Sequence, residues 1–398
     1  SSDLGELRQD SIDFGMGSED LIITDTPESK NTAVFAEFSV PIFGKNNAVP
    51  FVEGLTLVVA LRYDDYSIEG PFDGIDQPDT KRSFDAFTNR LGVSWNVTES
   101  LKFRASRGET FQAPILQNLF EPVSPLDPFF VQPVLDPFAP GGETLIFAPI
   151  RLGGNPNLQP QEATNYTVGF DYTPEAVSGL SVSVTWTRIN FTNIVGNPQD
   201  LFPDGDFTGL VALSEFVPDI VVRDANGNIT ELALTQQNLS GLKTEALDFD
   251  IRYEFETSFG RFRPGILATR TLKYEQEGIQ GTPLPTVDLL STDRGPVKWN
   301  LNGFVDWSSG NWSANTTVQY TGGYTNTDPF AVRTDVDSYT TVDLQVNYNI
   351  DKWDTRVSVG AENVFDADFP FFDNARGVDS SRVDLRRRVV FIEATKEF

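Results

Sequence analysis

The chain has 398 residues, and its 30 Lys and Arg against 57 Asp and Glu give a formal net charge of −27, which repels phosphate backbones and excludes nucleic acid as a partner. It has no Cys and no His, which removes disulfides, thiolate nucleophiles, zinc-thiolate sites and the side chain best placed for proton transfer near neutral pH. The 32 Phe, 10 Tyr and 6 Trp beside 31 Gly and 25 Pro favour strands joined by turns and predict an all-β class.

In chain order, thirteen segments alternate with period two and read as strands: about 32–42, 55–65, 84–97, 100–106, 166–172, 180–189, 247–255, 259–271, 297–307, 312–321, 339–350, 355–364 and 386–398. The segment 247–255 is the sharpest: Leu247, Phe249, Ile251, Tyr253 and Phe255 alternate with Asp248, Asp250, Arg252 and Glu254. One face of such a strand is greasy and the other is charged. No stretch reaches the roughly 18 to 20 apolar residues of a membrane helix. A soluble sandwich alternates in the same way, so periodicity alone leaves the environment open.

Loop lengths separate the two. Short connections at 43–53, 98–99, 174–179, 256–258, 308–311 and 351–354 take turns with long ones at 66–82, 107–161, 196–237, 272–296, 322–337 and 365–385. An outer-membrane β-barrel sorts its turns by side in this way, whereas both ends of a sandwich face the same solvent. Aromatic residues form two sets. Trp95, Tyr172, Tyr253, Phe255, Trp307, Trp312 and Tyr348, with Trp353, stand by the short turns; Tyr63, Phe84, Phe87, Tyr166, Trp186, Trp299, Tyr320 and Tyr339 stand by the long loops. Such rings favour the two headgroup levels, so Trp95, Tyr172, Trp299, Trp307, Trp312 and Tyr348 are read as a membrane girdle in contact with outer-membrane lipid. From Trp299 to Trp307 a strand tilted by about 40° climbs about 20 Å, close to the roughly 25 Å apolar band of these barrels. The last strand ends on Phe398, which looks like the C-terminal insertion signal read by the barrel-assembly machinery.

Three blocks carry a resemblance to a known family. Residues 101–120 run from Leu101-Lys102-Phe103-Arg104 into Phe111-Gln112-Ala113-Pro114; residues 154–162 read Gly154-Asn155-Pro156-Asn157-Leu158-Gln159-Pro160-Gln161-Glu162; and Glu362-Asn363-Val364-Phe365-Asp366 precedes the Phe-terminated strand. In this order they resemble blocks of the TonB-dependent receptors, with Gln112 where the family usually has Arg. The resemblance implies a 22-strand barrel around an N-terminal plug, of which this chain would hold about thirteen C-terminal strands. The plug domain and first strands would be absent. Residues 1–31 would then be the remnant of an extracellular loop, and 32–398 the barrel portion with its long loops outside. An odd strand count supports this, since it cannot close by antiparallel pairing and bacterial single-chain barrels are even. The implied function is energised uptake of a scarce nutrient, a ferric siderophore, corrinoid, haem or oligosaccharide, with the TonB complex reached through the missing plug. A passive porin-like channel and a soluble secreted β-rich binding module are the alternatives. No catalysis, no cofactor and no metal is implied.

Candidate contacts follow from exposure and charge. In the loop 107–161, Phe111, Phe120, Phe129, Phe130, Phe138 and Phe147 stand among prolines, with Arg151, and are read as ligand contacts. Arg90, Lys102, Arg104, Asp248, Asp250, Arg252 and Glu254 are read as lumen-facing. The acidic run Asp64, Asp65, Glu69, Asp73, Asp76 and Asp79 lacks the spacing of a calcium loop and reads as a solvated loop.

Overall fold

The structure is a computed structural model that describes residues 28–70, 80–120, 131–140, 142–198, 207–214, 220–278, 284–328 and 330–396. Thirteen strands form one antiparallel meander: β1 (Glu28–Phe43), β2 (Gly54–Gly70), β3 (Thr80–Thr98), β4 (Leu101–Gln112), β5 (Gln161–Tyr172), β6 (Leu180–Gly196), β7 (Gln237–Tyr253), β8 (Gly260–Gln276), β9 (Trp299–Ser309), β10 (Trp312–Thr321), β11 (Tyr339–Ile350), β12 (Thr355–Glu362) and β13 (Val389–Lys396). Each strand pairs with the next, and β1 and β13 are paired on one side only among the described residues. The all-β, antiparallel expectation and its thirteen strands both hold.

Strand bounds correct the sequence reading in several places. Residues 28–31 belong to β1 and not to a loop, and β2 with β3 narrow the loop 66–82 from both sides. β4 continues to Gln112 and β8 to Gln276, while β13 begins at Val389. Residues 1–27 and Phe398 lie outside the described residues. In β7 and β8 the pairing slips between Glu245/Ala246 and Lys273/Thr271, which leaves Leu272 as the extra residue of a bulge.

The register shows that the greasy positions share a face across the whole sheet. Paired neighbours on this face include Phe38 with Val59, Val59 with Leu91, Val168 with Trp186, Ile251 with Ile266, Leu344 with Ala361, and Val359 with Ile392. Phe38 is 57 %, Val168 50 % and Ile392 77 % exposed, and among the described residues no second layer covers them. The buried cores lie at the long-loop end instead. An apolar face of this extent is the outer wall of a membrane barrel.

Strand tilt is written into the same register. One row of paired residues runs Trp95, Phe103, Phe170, Val184, Phe249, Ala268, Leu301, Tyr320 across eight strands. It begins beside a short turn and ends beside a long loop. Seven steps of about 4.8 Å climb about 22 Å if the strands tilt by about 40°, which matches the spacing of the two aromatic belts.

The belts need one correction. Trp95, Tyr172, Tyr253, Trp307, Trp312 and Tyr348 share the apolar register near the short turns, with the Trp312 and Tyr348 rings 4.7 Å apart. Tyr63, Phe87, Tyr166, Trp186, Trp299 and Tyr320 share it at the other end. Phe84 and Tyr339 do not: they pair with Tyr66 and Thr321 on the polar face, and Phe84 is buried in a small core. Indole N–H groups also staple the turns, Trp95 donating to the carbonyl of Phe51 (3.0 Å) and Trp307 to that of Phe259 (2.9 Å).

Candidate functional site at the long-loop end

The two longest loops fold together. From the first come strands Val131–Asp136 and Thr144–Gly153, and from the second come Val221–Arg223, Ile229–Thr235 and the short helix Phe207–Leu213. They make a four-stranded sheet in which Ile150–Gly153 pairs in parallel with Leu232–Thr235. Val134, Ala148, Leu210, Val211, Ile220, Leu232 and Leu234 form its core. Asp136 is 1 % exposed and takes two hydrogen bonds from Arg223 (2.7 and 2.9 Å), whose guanidinium also donates to the carbonyl of Gly227 (2.8 Å). The Arg223 hydrogen bonds hold the Asp136 carboxyl below the usual range against the opposing effect of burial.

Beneath this crown lies a second core, made by Ile68 and Phe84 from β2 and β3, Leu119 and Phe120 from the short helix Leu116–Phe120, and Leu158. Beside it a cavity of about 490 Å³ opens on the polar face, lined among others by Arg62, Asp64, Tyr66, Thr88, Thr110 and Gln112. Arg62 forks onto Asp64 with two bonds of 2.7 Å. Donors and acceptors thus converge at the mouth of the polar wall, with Phe111 and Tyr66 joining the cavity to the core. The cavity's size and polar lining groups make it a candidate site for a small polar ligand.

A third assembly ties the loops on the far side. Arg382 donates to the carbonyls of Thr292 (2.8 Å), Asp293 (3.1 Å) and Gly295 (2.7 Å), pairs with Asp379 and stacks on Tyr324. Burial raises the Tyr324 phenol well above its ordinary value, helped by its hydrogen bond to Asp379. Burial works to raise Asp379, but the bonds from Ser381 and Tyr324 and the charge of Arg382 outweigh it and hold the carboxyl low.

The residues expected as ligand contacts separate under these observations. Phe120 is 7 % exposed and Phe111 packs against the same core, so Phe120 is a core residue and not a presented ring. Phe147 stands 67 % and Phe138 43 % exposed on the crown, Phe138 beneath the Arg223 guanidinium. Arg151 is ion-paired with Glu231. Phe129 and Phe130 lie outside the described residues.

Residues expected on the lumen side share the polar face. Arg104 links three strands through Asp171 (3.3 Å), Ser183 (3.0 Å) and Thr185 (2.7 Å). Arg90 pairs with Ala60 and Gly108, and Lys102 with Asn96 and Asp171, in the same register. Asp250 and Arg252 bind each other, Asp248 accepts from Thr269, and Glu254, which sits past the end of β7, accepts from Arg263.

The recognised motifs turn out to be anchors. Asn363, with a left-handed φ of 47° and 5 % exposure, accepts from the Ala367 N–H (2.8 Å) and donates to its carbonyl (3.0 Å), while its own N–H binds Asp343 (2.8 Å). Asn155 is held as firmly: its N–H binds the Asn118 carbonyl and its side-chain amide binds that of Gln236, both at 2.8 Å. Leu158 is 1 % exposed. Asn is well suited to such turns because its short amide closes them and tolerates positive φ.

With this wall, these turns and these loops described, comparison with known proteins decides the family: residues 4–364 match the one described as TonB dependent receptor-like, beta-barrel. The chain belongs to that TonB-dependent receptor family. It is therefore a β-barrel protein of the Gram-negative outer membrane, whose polar face turns to the lumen and whose apolar face meets lipid. A curated relative, the vitamin B12 transporter BtuB of Photobacterium profundum, is 23 % identical over 314 residues, 78 % of this chain and 38 % of that protein. Among solved structures, a point mutant of the ferric enterobactin receptor PfeA of Pseudomonas aeruginosa aligns at a TM-score of 0.53 and 14 % identity, covering 93 % of this chain and 54 % of that one. The siderophore receptor PirA of Acinetobacter baumannii gives 0.51 and 13 %, covering 85 % and 51 %. The likeness to these receptors is one of fold, and the chain spans between about two fifths and three fifths of the length of the relatives it matches.

Proposed function

We propose that the chain is the barrel portion of a longer receptor that takes up a scarce nutrient across the outer membrane, energised through the TonB complex by a plug that sits against the polar face. The observation that carries this reading is the built-up long-loop end, where a crown has its own core and a polar cavity opens at the mouth of the wall. A passive porin needs no such structured crown. The exposed Phe138 and Phe147 with the cavity groups Arg62, Asp64 and Gln112 are the first contacts of the ligand, and Arg90, Lys102, Arg104, Asp248, Asp250, Arg252 and Glu254 line its path or hold the plug. The odd number of strands and the two singly paired edge strands among the described residues support a partner segment that completes the barrel. A corrinoid or a ferric siderophore is the favoured ligand class, by similarity to a vitamin B12 transporter and to the TonB-dependent family.

Growth of a strain expressing the full-length receptor, supplied with single ferric chelates, corrinoids, haem or glycans, tests the reading. Rescue by one class that disappears without a working TonB supports it. Rescue that persists without TonB favours the passive channel.

A further inference from the structure

The apolar face carries a notch that uptake through the lumen leaves unused. Its floor is Ala105, the smallest side chain in a paired row that runs Leu57, Val93, Ala105, Val168, Trp186 across five strands. On the short-turn side the row below is bulky, with the Phe103 ring 5.8 Å from Trp95 and 6.2 Å from Phe170. On the other side stand Arg107 and Tyr166, paired with each other. The outcome is an open groove of about 540 Å³. Its walls are apolar, Leu91 49 % and Val168 50 % exposed, and its upper end is polar.

That polar end is out of place on this face. Arg107 donates to Glu109 (2.7 Å) and to Asn89 (3.3 Å), Asn89 donates to Glu109, and the guanidinium lies 5.9 Å from the centroid of the Tyr166 ring. Asn89, Arg107 and Glu109 all occupy the apolar register, Asn89 between Phe87 and Leu91. Arg107 is four residues along β4 from Phe103, about 10 Å further up the wall, and is paired with Tyr166 of the long-loop belt, at the upper edge of the apolar band. The Arg107 and Glu109 charges cancel, so a phosphate would meet a carboxylate here as well as a guanidinium. A neutral group that both donates and accepts fits better.

We propose that this groove binds one acyl chain of a membrane lipid, packed over Ala105, through a hydroxyl or amide on that chain that hydrogen-bonds at Arg107, Glu109 and Asn89. Hydrocarbon surrounds this face, so a lipid chain fills the notch without displacing water, and a polar atom on it joins the hydrogen-bonded group Arg107, Glu109 and Asn89, where a guanidinium, a carboxylate and an amide offer further donor and acceptor positions. The inference rests on the membrane-facing register and stands or falls apart from the transported nutrient.

The test uses the full-length receptor purified in mild detergent, with bound lipid counted by native mass spectrometry. The probes are two phosphatidylethanolamines that differ only in carrying a 3-hydroxylated or a plain palmitoyl chain. The expected result is retention of the hydroxylated lipid about tenfold above the plain one, loss of that retention by about tenfold in Ala105→Phe, and loss of the preference alone in the double variant Arg107→Leu, Glu109→Leu. Heat-modifiable gel mobility reports that each variant is assembled, and Ala105→Leu replaces Ala105→Phe if the latter is not. Equal retention by the filled variant, or no preference in the wild type, overturns the proposal. So does efficient disulfide formation between copies of Ala105→Cys in this cysteine-free chain, which assigns the groove to a second copy.

Discussion

The Arg382 guanidinium lies 4.2 Å from the centroid of the Tyr324 ring, and both side chains converge on Asp379, Arg382 at 3.1 Å and Tyr324 at 2.8 Å. With the three carbonyls that Arg382 also binds, this one residue holds three long-loop segments together. Arg382→Ala removes a half-buried ion pair and a cation–π contact and is expected to lower the local opening free energy by about 3 kcal/mol. Hydrogen exchange at residues 289–296 and 324–336 checks this; unchanged protection there contradicts it.

The long-loop end responds to pH in both directions. Asp379 and Asp136 have folded pKa values below the unfolded one, so the stability they supply is present above the unfolded value of about 3.9 and is lost as pH falls through the depressed folded value. Tyr324 is the opposite case: its raised value favours the neutral phenol, so its contribution is complete below about 10 and falls as pH rises beyond that. Loop protection is therefore expected to fall at both extremes while the strands stay paired. Exchange measured across a pH series, with the strand amides as internal reference, reads this directly.

Asp136→Asn separates the crown's two loops electrostatically without changing their shape. Breaking a buried pair by neutralising one partner costs about 3 to 5 kcal/mol, which is enough to open a unit with so small a core. Limited proteolysis is expected to cut between residues 131 and 153 in the variant and not in the wild type. Unaltered heat-modifiable mobility would show that the barrel is spared.

One short turn depends on backbone that glycine accepts best. Gly179 has φ +88°, and a Cβ there would fall on the backbone oxygen of Glu254, whose N–H bonds the Gly179 carbonyl (2.9 Å). Gly179→Ala therefore combines a positive-φ penalty with a backbone clash and is expected to cost more than about 1 kcal/mol. Folding into lipid vesicles, followed by gel mobility, should slow; an unchanged rate and urea midpoint would refute the assignment.

Trp95→Phe keeps the ring in the belt and deletes the indole bond to Phe51. The expected loss is about 1 kcal/mol. Urea titration of the vesicle-inserted protein measures it, with Trp312→Phe as a reference, since the hydrogen bonds described place Trp95 and Trp307 on turn carbonyls.

The wall was legible from the chain alone because period-two alternation is local: Leu247 to Phe255 states its own two faces. Parity also held the answer where the reading of the belts failed. Phe84 is three residues from Phe87 and Tyr339 nine from Tyr348, odd separations that put each on the opposite face from its supposed partner. The crown was hidden for a different reason. Its strands Thr144–Gly153 and Ile229–Thr235 meet across about 80 residues, and the bond from Asn155 to Gln236 spans the same gap. No local pattern announces such pairing. Nor does alternation reveal that Phe120 is tucked under Leu158 while Phe147 is presented.

The parallel contact between residues 150–153 and 232–235 has a temporal consequence. Its two segments are brought within reach only after β5, β6 and β7 have paired beneath them, because those strands fix where each loop rises. The long-loop end of the molecule must therefore knit last. Until then the newly inserted protein stands open-mouthed, and proteases that spare the mature receptor should find it.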